Sequence, residues 1–390
     1  MPTRAAGNRV ERRSRFVMSR ASLAALIVLF CLAPLLAADG RATGPMVRQE
    51  APFPAIFDLD AATNGVPLRY EVLRGDFHMH TIHSDGQLTP PERVLEAWQY
   101  GYDVIAITDH RNFDAYEKAR PFAEDLDIIL LRGMETGLHE QEHVVALDFA
   151  ADYVPRDPHS WSESGDDGRV FYQHQWQRLA DAGGFVLYAH PHVGLRETML
   201  WGIDQGLLQG IEVKNDVVGS GWNTVASHGT YWYPFALTWA TEYNLTIFAN
   251  SDVHGPRGDT EQAVTLVLAT DRSRDAVMEA LRAGRTLARF NNMLCAHEWV
   301  FQLLMANLVT VYPQRLSDGR AFIHLQNHGP VELTAELVGT PIEPVVLGPY
   351  QKTLAGVRGL PNTLTVTWKN LYTLPSENFT TTHTLTAPPQ

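Results

Sequence analysis

The sequence predicts an α/β fold, a parallel sheet or barrel, followed by a small all-β domain of sandwich-like pattern. Three observations predict it. Between residues 75 and 290, short apolar runs alternate with amphipathic stretches, as βα units do. Histidines and carboxylates gather at the ends of those runs. From residue 291 onward Thr, Val, Pro and Asn rise and the histidine spacings fade. The 390 residues, 45% hydrophobic and 19% charged, suffice for one large core or two domains and argue against disorder, collagen or a coiled coil.

At the N-terminus Arg4, Arg9, Arg12, Arg13, Arg15 and Arg20 precede an apolar run over 23–36, and Ala37 and Ala38 follow it. A basic region, a short apolar stretch and small residues describe a secretory signal over 1–38. Pro34 interrupts the run, which falls short of the ~20 apolar residues a span needs. The expectation is an exported, periplasmic or secreted protein with no stable membrane span after cleavage. Cys31 lies within the signal and Cys295 stands alone, so the exported chain forms no internal disulfide and relies on its core. Six of the 31 Lys and Arg and one of the 44 Asp and Glu precede Asp39, so the charge changes from −13 to −18. So acidic a chain disfavours nucleic acid, whose binding draws on basic contacts to phosphate. A small anionic substrate is less affected, because metal charge dominates its site. Nothing in the sequence sets the oligomeric state.

Residues 39–74 read as a Pro- and Ala-rich lead-in. Within 75–290 the runs at 104–108, 128–131, 144–147, 185–189, 211–213, 245–249 and 263–268 have the length of buried strands. Thr89 caps a helix opened by Pro90 and Pro91 and continuing through Trp98. A second helix over 171–182 closes at Gly183 and Gly184, and a third over 275–283 closes at Gly284. The segment 219–239 contains Trp222, His228, Tyr231, Trp232 and Tyr233. It reads equally as a substrate-covering loop with aromatic walls or as a barrel helix. In 291–390, stretches at 321–326, 333–338 and 364–368 alternate as strands do, which gives the β-sandwich-like domain.

The chemistry sits beside the apolar runs. His78 and His80 are two apart, so on a strand they share a face. The run ending at Thr108 is followed by Asp109 and His110, and the run at 128–131 leads to Glu135. His143 opens the next run, His190 and His192 follow 185–189, and Asp252 and His254 follow 245–249. The C-terminal ends of parallel strands are where such folds place active sites. One histidine at a strand end is more often structural than a ligand. Their joint placement points to metal, since burying so many ionisable groups without a cation would be very costly. Imidazole with carboxylate and no thiolate suits Mn, Fe or Zn. Glu135 is the candidate bridge between two cations. Such a pair lowers the pKa of a shared water and clamps phosphoryl oxygens, so a metal-bridging hydroxide is the expected nucleophile. No G-x-S-x-G nucleophile motif is present.

The motifs HMHTIHSDG, ITDH, GMET, HVVAL, AHPH and NSDVHG, in this order, resemble those of the polymerase and histidinol phosphatase (PHP) family. The resemblance covers 75–290 and is specific as a set. It implies a distorted (βα)7 PHP barrel holding two or three divalent metal ions (Mn, Fe or Zn). It also implies nine ligands: His78, His80, Asp85, His110, Glu135, His143, His190, Asp252 and His254. His139 competes with His143, and Asp109 is expected to orient His110. The activity implied is phosphoester hydrolysis, since family members include histidinol phosphatase, polymerase-attached nucleases and small-molecule phosphodiesterases.

Phosphate oxygens not held by metal usually meet Arg or Lys. Arg257, Arg111 and Lys214 are the substrate-binding candidates, with Arg196 behind them, although each reads equally well as a solvated surface charge. His192 and His83 are spare imidazoles, and His192 is the candidate proton donor. A small-molecule phosphodiesterase is preferred over a phosphomonoesterase, because hydroxide held between metals attacks a diester without a strong cationic grip. An amidohydrolase-type barrel also opens with His-x-His and closes with a late Asp. Here that Asp is followed by His at i+2, and no lysine bridge is available. An exported binding protein with a degenerate barrel predicts missing ligands, and none is missing.

Overall fold

A computed structural model describes residues 48, 56–58, 68–139, 141–156, 164–217, 223–227, 229–258, 263–360 and 362–384. The expected signal and most of the lead-in lie outside these, as do Trp222 and His228. Among the described residues no helix is long and apolar enough to cross a membrane.

Strand β1 (Ile56–Asp58) pairs antiparallel with β2 (Leu68–Asp76). β2 therefore begins inside the expected lead-in, where Leu68, Tyr70 and Val72 alternate with Arg69 and Glu71 until Leu73 breaks the pattern. Then β2, β3 (Val104–Ile107) and β4 (Ile129–His139) run parallel. β5 (Glu142–Leu147) returns antiparallel along β4, and β6 (Phe185–Tyr188) runs antiparallel to β5. β7 (Gly210–Asn215) follows parallel to β6. A small hairpin, β8 (Val225–Ser227) with β9 (Thr230–Trp232), precedes β10 (Thr246–Asn250), which runs parallel to β7. The ring closes just beyond β10 and β2. There Met79 bridges Val253 in parallel, and the Asp252 N–H donates to the His78 carbonyl at 2.8 Å. β2 through β7 with β10 make a seven-stranded barrel. The reversed β5, joined to β4 by a hairpin instead of a helix, is its distortion.

Helices α1 (Pro90–Gln99), α2 (Ala115–Asp125), α3 (Phe171–Asp181), α4 (Glu197–Asp204), α5 (Pro234–Glu242) and α6 (Arg274–Arg282) connect the strands. α1 starts as expected: the Glu92 carboxylate accepts from the Thr89 N–H at 2.8 Å in a capping box. α5 resolves the aromatic segment as a hairpin followed by a barrel helix with Pro at its start. Trp232 and Tyr233 turn into the core, while Tyr231 stays exposed.

Alternate strand residues fill the barrel with Leu73, Val104, Ala106, Leu131, Val145, Leu187 and Phe248, and α6 covers one end with Val277, Met278 and Leu281. Packing is close there: a Cβ on Gly210 would sit 2.6 Å from the Phe248 ring. β11 (Val264–Ala269) pairs antiparallel with residues 71–75 of β2 and continues to β12 (Thr286–Phe290) and β13 (Met293–Cys295).

The C-terminal region opens with helix α7 (Glu298–Leu308), an exception to the expected all-β character. β14 (Val309–Arg315), β15 (Arg320–Asn327), β16 (Leu333–Leu337), β17 (Val345–Leu347), β18 (Lys352–Arg358), β19 (Thr363–Leu374) and β20 (Glu377–Thr384) follow. One sheet orders β14-β15-β18, and the other places β16 and β20 on β19. Ile323 and Leu325 of β15 face Leu333 and Ala335 of β16 and Val366 and Trp368 of β19 in one shared core with Phe301 of α7. Leu294 of β13 pairs in parallel with Leu371 of β19, so the barrel sheet runs into the β domain.

Candidate metal centre

Glu135, in the middle of β4, is the hub of the site. Its carboxylate lies within 3.3 Å of His78 Nε2 and His80 Nε2, 3.0 Å of His110 Nδ1 and His190 Nε2, and 2.8 Å of His143 Nδ1. His78 and His80 follow β2, while His110, His143 and His190 lie at the ends of β3, β5 and β6, and the barrel brings these four strand ends to one rim. Asp252, beyond β10, lies 3.3 Å from His78 Nε2 and 3.1 Å from His80 Nε2. Asp85 completes the outer side, within 3.5 Å of His80, 3.4 Å of His110 and 3.3 Å of His254. The loop carrying Asp85 folds back tightly, since a Cβ on Gly86 would meet the His80 carbonyl carbon at 2.5 Å.

All nine residues singled out in the sequence thus converge. They form four overlapping groups with possible ligand atoms within 4.8 Å: His80, Asp85, His110 and His254; His78, His80 and Asp252; His78, Glu135 and His190; His110, Glu135 and His143. The side chain of His139 lies outside the described residues.

The backbone is strained here. His190 and Asp252 adopt left-handed conformations with φ of 26° and 53°, and Arg111 does so at 51°. Such residues persist only where surrounding contacts hold them. Arg93 supplies some of those contacts: its buried guanidinium donates to the carbonyls of His80, His254 and Gly255 at 3.1 Å each. The Asp109 carboxylate is directed to Thr81 and Ser84 and not to the His110 ring. It accepts from the Thr81 N–H at 2.7 Å, the Thr81 hydroxyl at 2.6 Å and the Ser84 hydroxyl at 2.7 Å, which braces the loop between His80 and Asp85.

The charges constrain one another. Burial pushes the His80 imidazole down, but the facing carboxylates of Asp252 and Glu135 outweigh it and raise its pKa to about 9. Burial raises the Glu135 and Asp252 carboxyls, yet the facing imidazoles hold both well below the usual range. Buried His78 Nε2, His80 Nε2, His190 Nδ1 and Asp252 Oδ1 have no hydrogen-bond partner. Buried polar atoms are normally satisfied, and imidazole and carboxylate atoms turned on one another fit a shared divalent cation.

The substrate candidates fare differently. Arg257 is not aimed at the site. Its fully buried guanidinium donates to Asp76 at 2.5 Å, lies 3.5 Å from Glu96 and stacks 4.8 Å over the Tyr102 ring. Lys214 is likewise committed, 2.7 Å from Asp216 and 2.8 Å from the Asn215 carbonyl. Arg111 is exposed beside His110, and its backbone N–H donates to Glu135 O at 2.8 Å. His192 packs 5.4 Å from the His190 ring and places Nδ1 2.7 Å from the His190 carbonyl, outside the four groups. His83 pairs with Lys118 at 3.0 Å.

Sequence reasoning missed Glu212. This carboxylate on β7 is fully buried and contacts His78 Nδ1 at 2.9 Å. The available signal was a carboxylate in the middle of a strand buried at every position.

The chain is similar to several known proteins. The family signature described as PHP domain matches residues 76–214, and the one described as PHP-associated matches 232–286. An uncharacterized protein of Methanocaldococcus jannaschii is 43% identical over 72 residues, 16% of this chain and 33% of its own length. A 5'-3' exoribonuclease of Haemophilus influenzae is 34% identical over 77 residues, 19% of this chain and 28% of its own. The chain thus matches a third or less of either curated relative. A solved two-domain protein of Bacteroides vulgatus, described as containing a predicted PHP-like metal-dependent phosphoesterase, shares the fold with a TM-score of 0.71. It is 22% identical, over 88% of this chain and 100% of that one. The chain thus carries a PHP domain over residues 76–214 and a PHP-associated segment over 232–286, and these spans hold the barrel strands that bring the convergent histidines and carboxylates together.

Proposed function

We propose that the chain hydrolyses small phosphodiesters, using two or three divalent ions (Mn, Fe or Zn) held by the nine convergent residues. The observation that carries this reading is the contact of Glu135 with five imidazoles, three of which, His78, His80 and His190, have a buried ring nitrogen without a hydrogen-bond partner. Bound divalent ions supply an ionised water near neutral pH and neutralise charge on phosphoryl oxygens. His78, His80, His190, Glu135 and Asp252 hold the inner part of that set, and Asp85, His110, His143 and His254 hold the part open to solvent.

The commitment of Arg257 and Lys214 to carboxylates supports the diester preference. A monoester dianion calls for several Arg or Lys contacts, whereas a diester carries one charge and fewer exposed oxygens. Arg111, with Arg196 behind it, is left among the basic candidates, and His192 is the candidate donor to the leaving group. The name of the Haemophilus relative offers RNA as a second reading, and the charge of −18 beyond the expected signal weighs against it. Export belongs to the same proposal, on the strength of the arginines and apolar run ahead of residue 39.

The test measures metal content and the hydrolysis of bis-p-nitrophenyl phosphate, p-nitrophenyl phosphate and a short RNA with added Mn, Fe or Zn. The expected result is metal-dependent turnover, fastest on the diester and lost in His80→Ala. Equal rates in His80→Ala would overturn the site, and turnover of the monoester alone would overturn the diester preference. N-terminal sequencing of the mature protein checks export.

A further inference from the structure

We infer that Glu212 is a positioning residue that fixes which nitrogen of His78 faces the metal centre and anchors the left-handed turn at His190. The inference rests on the reading of this cluster as a metal centre.

Glu212 Oε1 accepts from His78 Nδ1 and from Asn250 Nδ2, both at 2.9 Å. Oε2 accepts from the His190 backbone N–H at 2.7 Å and from Asn215 Nδ2 at 3.0 Å. Two donors on each oxygen fill the lone pairs of a carboxylate. An ionised carboxylate only accepts, so the proton of a neutral His78 sits on Nδ1 and the lone pair on Nε2. Nε2 is the atom turned toward Glu135 and Asp252. A partner of this kind sets the tautomer and ring orientation of a metal-binding imidazole. Asn215 Nδ2 also reaches Asp252 Oδ2 at 3.1 Å, so one buried side chain ties together the ends of β2, β6, β7 and β10.

The neighbouring amides cannot adapt to a different partner. Asn250 Oδ1 already accepts from the Phe77 N–H, and Asn215 Oδ1 from the Val217 N–H, each at 3.0 Å. Glutamine at position 212 therefore meets a conflict in either orientation. With its NH2 in the Oε2 place, it faces the His190 backbone N–H, which cannot reverse. With its NH2 in the Oε1 place, it opposes the Asn250 amide and requires His78 to accept at Nδ1. His78 then carries its proton on Nε2, the wrong atom for a ligand.

The experiment measures zinc bound per chain, and its affinity, in wild type, Glu212→Gln, Glu212→Asp, His78→Gln and the double variant His78→Gln/Glu212→Gln. Thermal melting serves as the fold check. Glu212→Gln is expected to weaken by about 10–100-fold the same zinc that His78→Gln loses, while zinc held through Asp85, His110 and His254 stays. The double variant is expected to bind no worse than His78→Gln. Glu212→Asp keeps the charge but not the reach, so it weakens the same zinc even if the glutamine variant does not fold. Unchanged zinc affinity in the Glu212 variants, or an equal loss of every zinc, overturns the inference. A wild type that binds no divalent metal overturns the phosphoesterase reading and this inference with it. A metal-bearing wild type with indifferent Glu212 variants overturns the inference alone.

Discussion

The metal centre has a deep half and a shallow half, and the two are built differently. His78, His80 and Glu135 are at most 1% exposed, and their partners His190 and Asp252 are nearly as buried. The side chain of Asp85 is 53% exposed, and His110, His143 and His254 are close to a third exposed. The deep half is held on strand ends by Glu212, Asn215 and Asn250, whereas Asp85 and His254 ride on loops pinned by Asp109 and Arg93. Tightly held side chains preserve a fixed geometry for cations, and a loop-borne, open side admits substrate. The difference therefore separates holding from access.

The strongest way to break this comparison is to remove the residue both halves share. Glu135→Gln faces imidazoles of both, and is expected to reduce kcat/KM on the order of 10³-fold or more and to strip most bound metal. Metal analysis beside kinetics checks it, and a variant that keeps full metal would show Glu135 to be no hub. Asp85→Asn acts on the shallow half alone. Its expected loss is smaller, about 10–100-fold in kcat/KM, with one metal equivalent weakened and the melting temperature unchanged. A drop in melting temperature equal to that of Glu135→Gln would erase the distinction between the halves.

The deep half also carries a signature when the protein is freed of metal. The His80 imidazole is raised to about 9 in the folded chain, against about 6.5 unfolded. A group raised on folding stabilises fully below its unfolded pKa, and that contribution is lost as pH climbs through the folded value. Metal-free protein is expected to lose roughly 3 kcal/mol between pH 6.5 and 9.5, seen as a melting temperature lower by several degrees. His78, raised against its burial by Asp252, Glu212 and Glu135, acts in the same direction. Glu135 and Asp252 act at the other end. Depressed on folding, they stabilise above the ordinary carboxylate range, and that contribution is lost as pH falls. Divalent metal replaces the protons, so the alkaline loss should vanish on loading. A flat melting profile for metal-free protein from pH 6.5 to 9.5 would contradict the deep half as drawn.

Most ligands of both halves were legible in the sequence, because they sit beside apolar runs that had to be strands or, as His78 and His80, two apart on one face, whereas Asp85 on its loop was reached only through the resemblance of the motifs. What surrounds them was not. Arg257 follows His254 and looks available, yet Asp76, far away in the chain, draws it inward beneath β2. Glu212 was overshadowed by Lys214 two residues on, and only the barrel ring shows that His78 and His190 both meet it. α2 gave no apolar stripe, since it buries only Ala115, Ala119 and Ala123 and contains Pro121. α7 buries one stripe of Val300, Phe301, Leu304, Met305 and Leu308, but Trp299 and Leu303 carry apolar side chains beyond that face, so its sequence alone shows no clean period of 3.6. Local pattern reports which face is buried, and pairings between distant strands decide what it is buried against.

The smallest expected effect tests access directly. Arg111 stands beside His110 on the shallow side, in a left-handed turn held by its own backbone N–H to Glu135. A guanidinium there adds Coulombic grip on a phosphoryl oxygen, but it works in an open, solvated setting where such contacts are weak. Arg111→Ala should therefore raise KM for a diester about 3–10-fold and leave kcat and metal content near wild type, with a larger effect at low salt. Arg257→Ala should do the reverse. It leaves Asp76 buried without its cation, so it lowers stability by about 3–5 kcal/mol and leaves KM unchanged in whatever fraction folds. If Arg257→Ala instead raised KM while Arg111→Ala did nothing, the substrate would enter from the deep side and the division between holding and access would have to be reversed.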